Sequence, residues 1–292
     1  MHYVFGMTED FGHLPFGLPH YLSLLATTLY VKPARIHWHH RFLPPSTSAW
    51  WACAAPLLTP VQVPDVTTIH GVAHPSLHVA HKADMVRLAV LLREGGVYLD
   101  SDVIPLRSLE EALREGRDGR VVMGREEAPG QAGLANAVIL APPNATFLRR
   151  WWAAYATFEP SKSWAYHSVI LPRELAARFP GEVASLSGTS FFTPVWTQLR
   201  ELYEADDGYS FVDNFAVHLW TSQETKKYGG LAQLSVASVF AGNGSFHRVA
   251  RRILHDAKEA GLLCEAAWPL PRLCAGDGRG GESRRRWGGS AP

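Results

Sequence analysis

The chain has 292 residues, 47% of them hydrophobic and 19% charged, with a net charge of +1. That is enough apolar material for one large domain or two small ones, and so even a balance excludes a protein built to grip nucleic acid through its phosphates. Three cysteines, Cys53, Cys264 and Cys274, form no metal-binding pattern; reduced thiols of a reducing compartment are expected, with a Cys264–Cys274 pair as the alternative.

Tyr3-Val4-Phe5, closed by Gly6, reads as a first core strand. No basic n-region accompanies it, since the first Lys or Arg is Lys32. Tyr21 to Val31 is interrupted by Ser23, Thr27 and Thr28 and is too short to span a bilayer. With no signal or transmembrane segment the expectation is a cytoplasmic protein. A helix is predicted over 19–30, ended near Pro33. Arg35 to His40 alternates like a second strand. Ser46 to Ala55, with Trp50-Trp51, reads as a short helix. Val61-Gln62-Val63 and Thr67-Thr68-Ile69 are short strands. This βαβ rhythm predicts an α/β domain with a mainly parallel central sheet and helices on both faces.

Val79 to Glu94 is the clearest helix, apolar on most sides and therefore central. Gly95-Gly96 can end it in a left-handed cap. Val97-Tyr98-Leu99 follows as a buried strand. Ser108 to Glu111 reads as a helix start with acids in its first turn. Arg120 to Gly124 and Ala137 to Leu140 are further strands. Pro143 to Phe158, Arg173 to Phe179 and Val195 to Glu204 are predicted helices. Phe215 to Trp220 is a late strand ending in polar residues, and His247 to Ala260 a last helix. From Ala275 glycine and the Arg284-Arg285-Arg286 run dominate. The chain thus divides into a folded domain over 1–262 and a tail over 275–292 expected to be disordered.

The chemistry concentrates at Asp100-Ser101-Asp102. These two carboxylates close the Val97-Tyr98-Leu99 strand and, two apart, can face one side. Open α/β sheets bind ligands at that strand end. Paired hard oxygen ligands suit Mg²⁺ or Mn²⁺ bridging to substrate phosphates. In the preceding helix Asp84 and Arg87 are neighbours on one face. On an exposed helix they would be an ordinary ion pair; on a buried one, charges need partners and mark a site.

The run from Ala80 to Arg87, followed by Leu91 to Val103 with its Gly-Gly and Asp-Ser-Asp, resembles the sugar-binding region of the DXD-type glycosyltransferases. That family includes yeast initiating mannosyltransferases, α-1,4-galactosyl- and N-acetylglucosaminyltransferases and bacterial capsule transferases, with the clostridial glucosylating toxins more distant. His2-Tyr3-Val4-Phe5, Asn136-Ala137-Val138-Ile139 and His218-Leu219-Trp220 are similar to its opening strand, its post-DXD strand and its late His motif. The resemblance implies a GT-A-like fold, a nucleotide-sugar donor (a UDP-sugar in preference to a GDP-sugar), a divalent metal, and retention at the anomeric carbon. The acceptor would be a glycan, a lipid-linked sugar or a protein. By position, Asp102 resembles the direct metal ligand, and Asp100 the ribose and sugar contact that reaches the metal through water. Asp84 and Arg87 resemble the holders of donor-sugar hydroxyls, Tyr98 a nucleotide-side residue, and His2, Tyr3 and Val4 a floor under the base. His81 and Asn136 lie in matching segments, as do His218 and Trp220. Gly188-Thr189-Ser190 and Ser222-Gln223 depart from the family's Gly-Pro and Ser-Trp.

Retention by a front-face path needs no general base. An inverting enzyme would need one, with Asp213 or Glu127 as candidates. His37 and His39 share a strand face and could suggest zinc, but the sequence offers no Cys or acidic fourth ligand beside them. His74, His78 and His81 form no His-Glu-x-x-His pattern. A metal-dependent phosphoesterase and a non-catalytic sugar-binding module are the competing readings.

Overall fold

The computed structural model describes residues 1–159, 162–204 and 209–264. The first half alternates strand and helix: β1 (His2–Val4), α1 (Leu18–Ala26), β2 (His37–His40), α2 (Ala49–Ala54) and β3 (Thr59–Gln62). A small hairpin, β4 (Thr68–Ile69) and β5 (Val72–Ala73), leads into α3 (Val79–Glu94) and β6 (Gly96–Leu99). Next come β7 (Val103–Pro105), α4 (Glu110–Glu115), β8 (Val121–Glu126), β9 (Gly133–Ala141), α5 (Thr146–Ala154), α6 (Leu171–Arg178) and β10 (Val183–Leu186). The last elements are α7 (Leu199–Tyr203), β11 (Ala216–His218), α8 (Thr221–Lys227), α9 (Val236–Ala241) and α10 (Ser245–Glu259).

Seven strands form the central sheet in the order β10-β8-β9-β6-β1-β2-β3. β9 runs antiparallel to both neighbours; the other pairings are parallel. Strand alternation divides the core in two. On one face Tyr3, Trp38 and Leu99 pack with Leu22 of α1, Trp51 of α2 and Ile253 of α10. On the other, Val4, Tyr98 and Ile139 pack with Leu88 and Leu91 of α3 and Trp151 of α5. The α/β class, the mainly parallel sheet and the helices on both faces are therefore as the sequence predicts.

Two local features set the site. Gly95 (φ 65°) and Gly96 (φ 96°) both adopt left-handed geometry after α3, and a Cβ on Gly95 would lie 2.5 Å from the Pro143 nitrogen. Only glycine allows the chain to reverse there and start β6 directly under the helix. β11 pairs antiparallel with β7 in a separate two-stranded ribbon, with His218 opposite Val103. That pairing brings the late His motif beside the acidic pair.

One expectation is overturned. Cys53 and Cys264 form a disulfide, 211 residues apart in sequence. Neither residue is a reduced thiol, and Cys264 does not pair with Cys274. Folding brings α2 and the segment after α10 together against α1, a proximity that sequence spacing does not carry. Cys274 and the 275–292 tail lie outside the described residues. Among the described residues no helix is long and apolar enough to cross a membrane.

Candidate active site

A cleft of about 430 Å³ opens over the carboxyl ends of β1 and β6, where Val4, Asp100 and Asp102 line it together with His81, Asp84 and Arg87 of α3. Its size falls within the range of small-molecule sites.

Asp100 follows the last residue of β6, and its N–H donates to the Ala137 carbonyl (2.8 Å). A tight turn then returns Val103 N–H to the Asp100 carbonyl (2.9 Å). This turn holds both carboxylates at the strand end. Asp100 Oδ1 accepts from Tyr98 Oη (2.6 Å) and from Arg87 Nη1 (2.8 Å). Burial pushes the Asp100 carboxyl up, and the Arg87 charge only partly offsets it.

Asp102 is held differently. Its Oδ1 lies 3.2 Å from His218 Nε2, and its Oδ2 accepts the Thr221 N–H (2.9 Å). That N–H points inward because Trp220 takes a left-handed backbone (φ 55°) at the start of α8, a conformation costly for a non-glycine residue and concentrated at functional sites. Burial would raise the Asp102 carboxyl. The His218 charge, its hydrogen bond and the Thr221 N–H outweigh burial, and Asp102 is held well below the usual carboxylate range. His218 moves the other way: burial lowers it, but Asp102 and then Asp100 raise it further, for a net upward shift.

Asp84 and Arg87, both on α3, are nearly fully buried. Arg87 Nη2 lies 3.3 Å from Asp84 Oδ1, and its Nη1 also donates to the Asn136 carbonyl (2.8 Å). The guanidinium sits 4.5 Å over the Tyr98 ring. Asn136 Nδ2 donates to Asp84 Oδ1 (2.7 Å), and His81 Nδ1 lies 3.4 Å from Asp84 Oδ2. Arg87 is thus more than the partner of Asp84: it ties α3 to the acidic strand by bridging two carboxylates.

Val4, His81, Asp84, Arg87, Tyr98, Asp100, Asp102, Asn136, His218 and Trp220 all line the cleft. His2 and Tyr3 do not. Tyr3 alternates to the opposite sheet face, fully buried, where its Oη meets Thr27 Oγ1 (2.5 Å). His2 stays on the α3 face but at the other end of β1, with Nε2 3.0 Å from the Gly95 carbonyl. Asp213 and Glu127, the candidate bases of an inverting enzyme, are exposed outside the cleft, and Glu127 pairs with Arg125 (3.5 Å).

Sequence reasoning missed several lining residues. Glu126, next to the nominated Glu127, is the one that turns inward: β8 alternation buries it, and Trp196 Nε1 donates to it (3.2 Å). Burial pushes its carboxyl up to about 7. His20 of α1 also faces the cleft; burial lowers it to about 4, and its Nδ1 accepts the Gly17 N–H (3.0 Å). Trp164 stands at the rim, 54% exposed, with its ring 4.5 Å from that of His78. Period-2 alternation along 121–126 was the one available signal for Glu126. Nothing local marked His20 or Trp164.

The family model for the glycosyltransferase sugar-binding region containing the DXD motif matches residues 63–118. Over 264 residues the chain is 33% identical to "Glucan organizing enzyme 1" of Cryptococcus neoformans var. grubii, spanning 86% of this chain and 69% of that protein. The chain belongs to this glycosyltransferase family. Solved structures overlap it in part. The glycosyltransferase GlyE of Streptococcus pneumoniae TIGR4 is 12% identical over 89% of this chain and 64% of that one, with a TM-score of 0.49. The galactosyltransferase LgtC, in complex with donor and acceptor sugar analogs, is 14% identical over 82% and 99%, with a TM-score of 0.41. In this glycosyltransferase the matched segment carries α3, the Gly-Gly reversal and the acidic pair, the elements that build the cleft's acidic wall.

The charge of that wall tests whether a divalent cation fits. Asp84, Asp100, Asp102 and Glu126 face the cleft, and among the described residues lining it Arg87 is the one Lys or Arg. One oxygen from each of Asp100 and Asp102 and a nitrogen from His218 lie within 4.8 Å of one another. Hard oxygens with one imidazole, in a wall with excess negative charge, fit Mg²⁺ or Mn²⁺.

Proposed function

We propose that the protein is a metal-dependent, retaining glycosyltransferase that takes its sugar from a nucleotide-diphosphate donor. The observation that carries this is the charge imbalance of the cleft. A diphosphate would be repelled by the Asp84, Asp100 and Asp102 carboxylates, which Arg87 and the His218 imidazolium only partly offset, so a donor of this class needs a further cation between itself and the wall. Asp102 and Asp100, with His218 as a third donor, are the residues that would hold Mn²⁺ or Mg²⁺, which would neutralise the charge developing on the leaving diphosphate.

The chain's own residues do the rest. Asp84 and Asn136 present oxygen and amide groups suited to sugar hydroxyls, and Arg87 fixes Asp84 against Asp100 so that both are positioned before the donor arrives. His20, with Nδ1 committed to Gly17, offers Nε2 as a donor toward the phosphate side. Val4 and Tyr98 line the cleft where they would floor the nucleotide, and the family resemblance favours a UDP-sugar over a GDP-sugar. Glu126, Trp196 and the exposed Trp164 line the remaining side, where an aromatic rim and one carboxyl suit a sugar acceptor. The relative's name, glucan organizing enzyme, favours a polysaccharide over a protein acceptor. The Cys53–Cys264 disulfide fits an oxidising compartment rather than the cytoplasm.

The test is donor turnover by the purified protein across a set of nucleotide sugars, with Mn²⁺ and with EDTA. Donor-dependent product that disappears in EDTA and returns with Mn²⁺ is expected. Undiminished turnover in EDTA would refute metal dependence, and an inverted product would refute retention.

A further inference from the structure

We propose that His2, His37 and His39, completed by Glu94, form a second metal site that takes a zinc-class transition ion. It lies at the amino-terminal edge of the sheet, away from the acidic pair. β1 and β2 pair in parallel with His2 opposite His37 and Val4 opposite His39. Residues in register share a face, so all three imidazoles project to the α3 side. One nitrogen from each lies within 4.8 Å of the other two. The last residue of α3, Glu94, reaches over them, with Oε2 3.4 Å from His37 Nδ1 and 3.9 Å from His2 Nδ1. Zinc bound tetrahedrally at about 2.0–2.1 Å spaces its ligand atoms roughly 3.3–3.4 Å apart. The His2 Nδ1–His39 Nε2 distance of 3.1 Å and the two Glu94 distances bracket that spacing.

The surrounding contacts orient the donors. His2 Nε2–H donates to the Gly95 carbonyl (3.0 Å), which leaves the Nδ1 lone pair facing the cluster, where it accepts from His39 Nε2–H, the proton an incoming ion would displace. A backbone carbonyl on the far nitrogen is the usual partner of a metal-bound histidine. Arg93 binds Glu94 Oε1 (2.5 Å) and so turns Oε2 toward the imidazoles. His2 and His39 are buried, so an ion held between them is largely shielded from solvent. His37 and Glu94 are part-exposed and give an ion a way in. Glu94 stands seven residues beyond Arg87, about 10 Å along α3, which separates the two sites. Three imidazole nitrogens select Zn²⁺ over Mg²⁺. An ion here clips β1, β2 and the end of α3 together.

The test uses untagged protein carrying Asp102→Asn, which disables the Asp100–Asp102–His218 group, stripped with chelator and titrated with Zn²⁺ by calorimetry and metal analysis. One equivalent of bound Zn²⁺ is expected, unaffected by millimolar Mg²⁺, with a rise in melting temperature of roughly 5–10 °C at saturation. Adding His37→Ala should weaken binding at least a hundredfold, and adding Glu94→Gln about tenfold. No uptake, or uptake indifferent to His37→Ala, overturns the site. Should the His37→Ala protein not fold, Co²⁺ in the Asp102→Asn chain decides: tetrahedral visible bands uphold the site and their absence overturns it.

Discussion

The two edges of the central sheet carry polar clusters of opposite character, and α3 contributes to both. At the carboxyl edge, Asp84 and Arg87 from the first half of the helix meet Asp100, Asp102 and His218, and buried charge is kept by pairing: Asp102 is held down and His218 held up. At the amino edge, Glu94 from the last turn meets three imidazoles, two of which burial holds neutral. One sheet thus offers two carboxylates with one imidazole at one end, and three imidazoles with one carboxylate at the other. The difference comes from composition and partners: His218, buried against Asp102, is shifted up, whereas His2 and His39, buried beside other imidazoles, are shifted down.

Breaking the carboxyl edge has the largest expected effect. Asp102→Asn should reduce transfer at least about a hundredfold and weaken Mn²⁺-dependent nucleotide-diphosphate binding, while leaving Zn²⁺ uptake at the other edge intact. Equal loss at both edges would mean the two are not independent. Arg87→Ala removes the bridge between two buried carboxylates and should cost about 3–5 kcal/mol, read as a lower urea midpoint. Arg87→Lys should not restore it, because an ammonium cannot span both acids. A protein of unchanged stability that has lost only the donor sugar's affinity would instead make Arg87 a sugar contact and nothing more.

Two smaller effects sharpen the contrast. Cys53→Ala opens a staple packed on the sheet face opposite α3 and should cost roughly 2–4 kcal/mol, with no change in metal preference at either edge. If this variant alters Mn²⁺ dependence, the staple is coupled to the cleft. Glu126 tests whether every carboxyl of the cleft is charged. Its folded value of about 7 lies above its ordinary 4.5, so the folded state binds the proton more tightly than the unfolded one. The stability this gives is fully present below about pH 4.5 and is lost as pH rises through about 7, up to roughly 3 kcal/mol. Glu126→Gln should flatten that slope in the urea midpoint measured from pH 5 to 8; an unchanged slope would show that Glu126 is already ionised.

Much of the cleft's near wall was legible in the chain itself. The apolar run of α3, the Gly-Gly reversal, the short strand and the two acids are contiguous, and each follows from local rules: periodicity, left-handed glycine geometry, strand alternation. Asp84, Arg87, Asp100 and Asp102 could therefore be placed on one side without knowing any long-range contact. What only the tertiary structure decided involves partners distant in sequence. His218 meets Asp102 across 116 residues because β11 pairs with β7. Glu126, not Glu127, faces inward because the β8 register sets which side chains are buried. His2 was placed under the nucleotide by the family resemblance but opens β1, which runs parallel to β6, so it stands at the edge opposite Val4 and the acidic pair. Cys53 finds Cys264, and His37 and His39 find His2 and Glu94, by the same means. Local propensity fixes which residues share a helix or a strand, but the pairing of strands and the packing of helices on them are settled by burial of the whole core, and that is where the distant halves of each cluster were brought together.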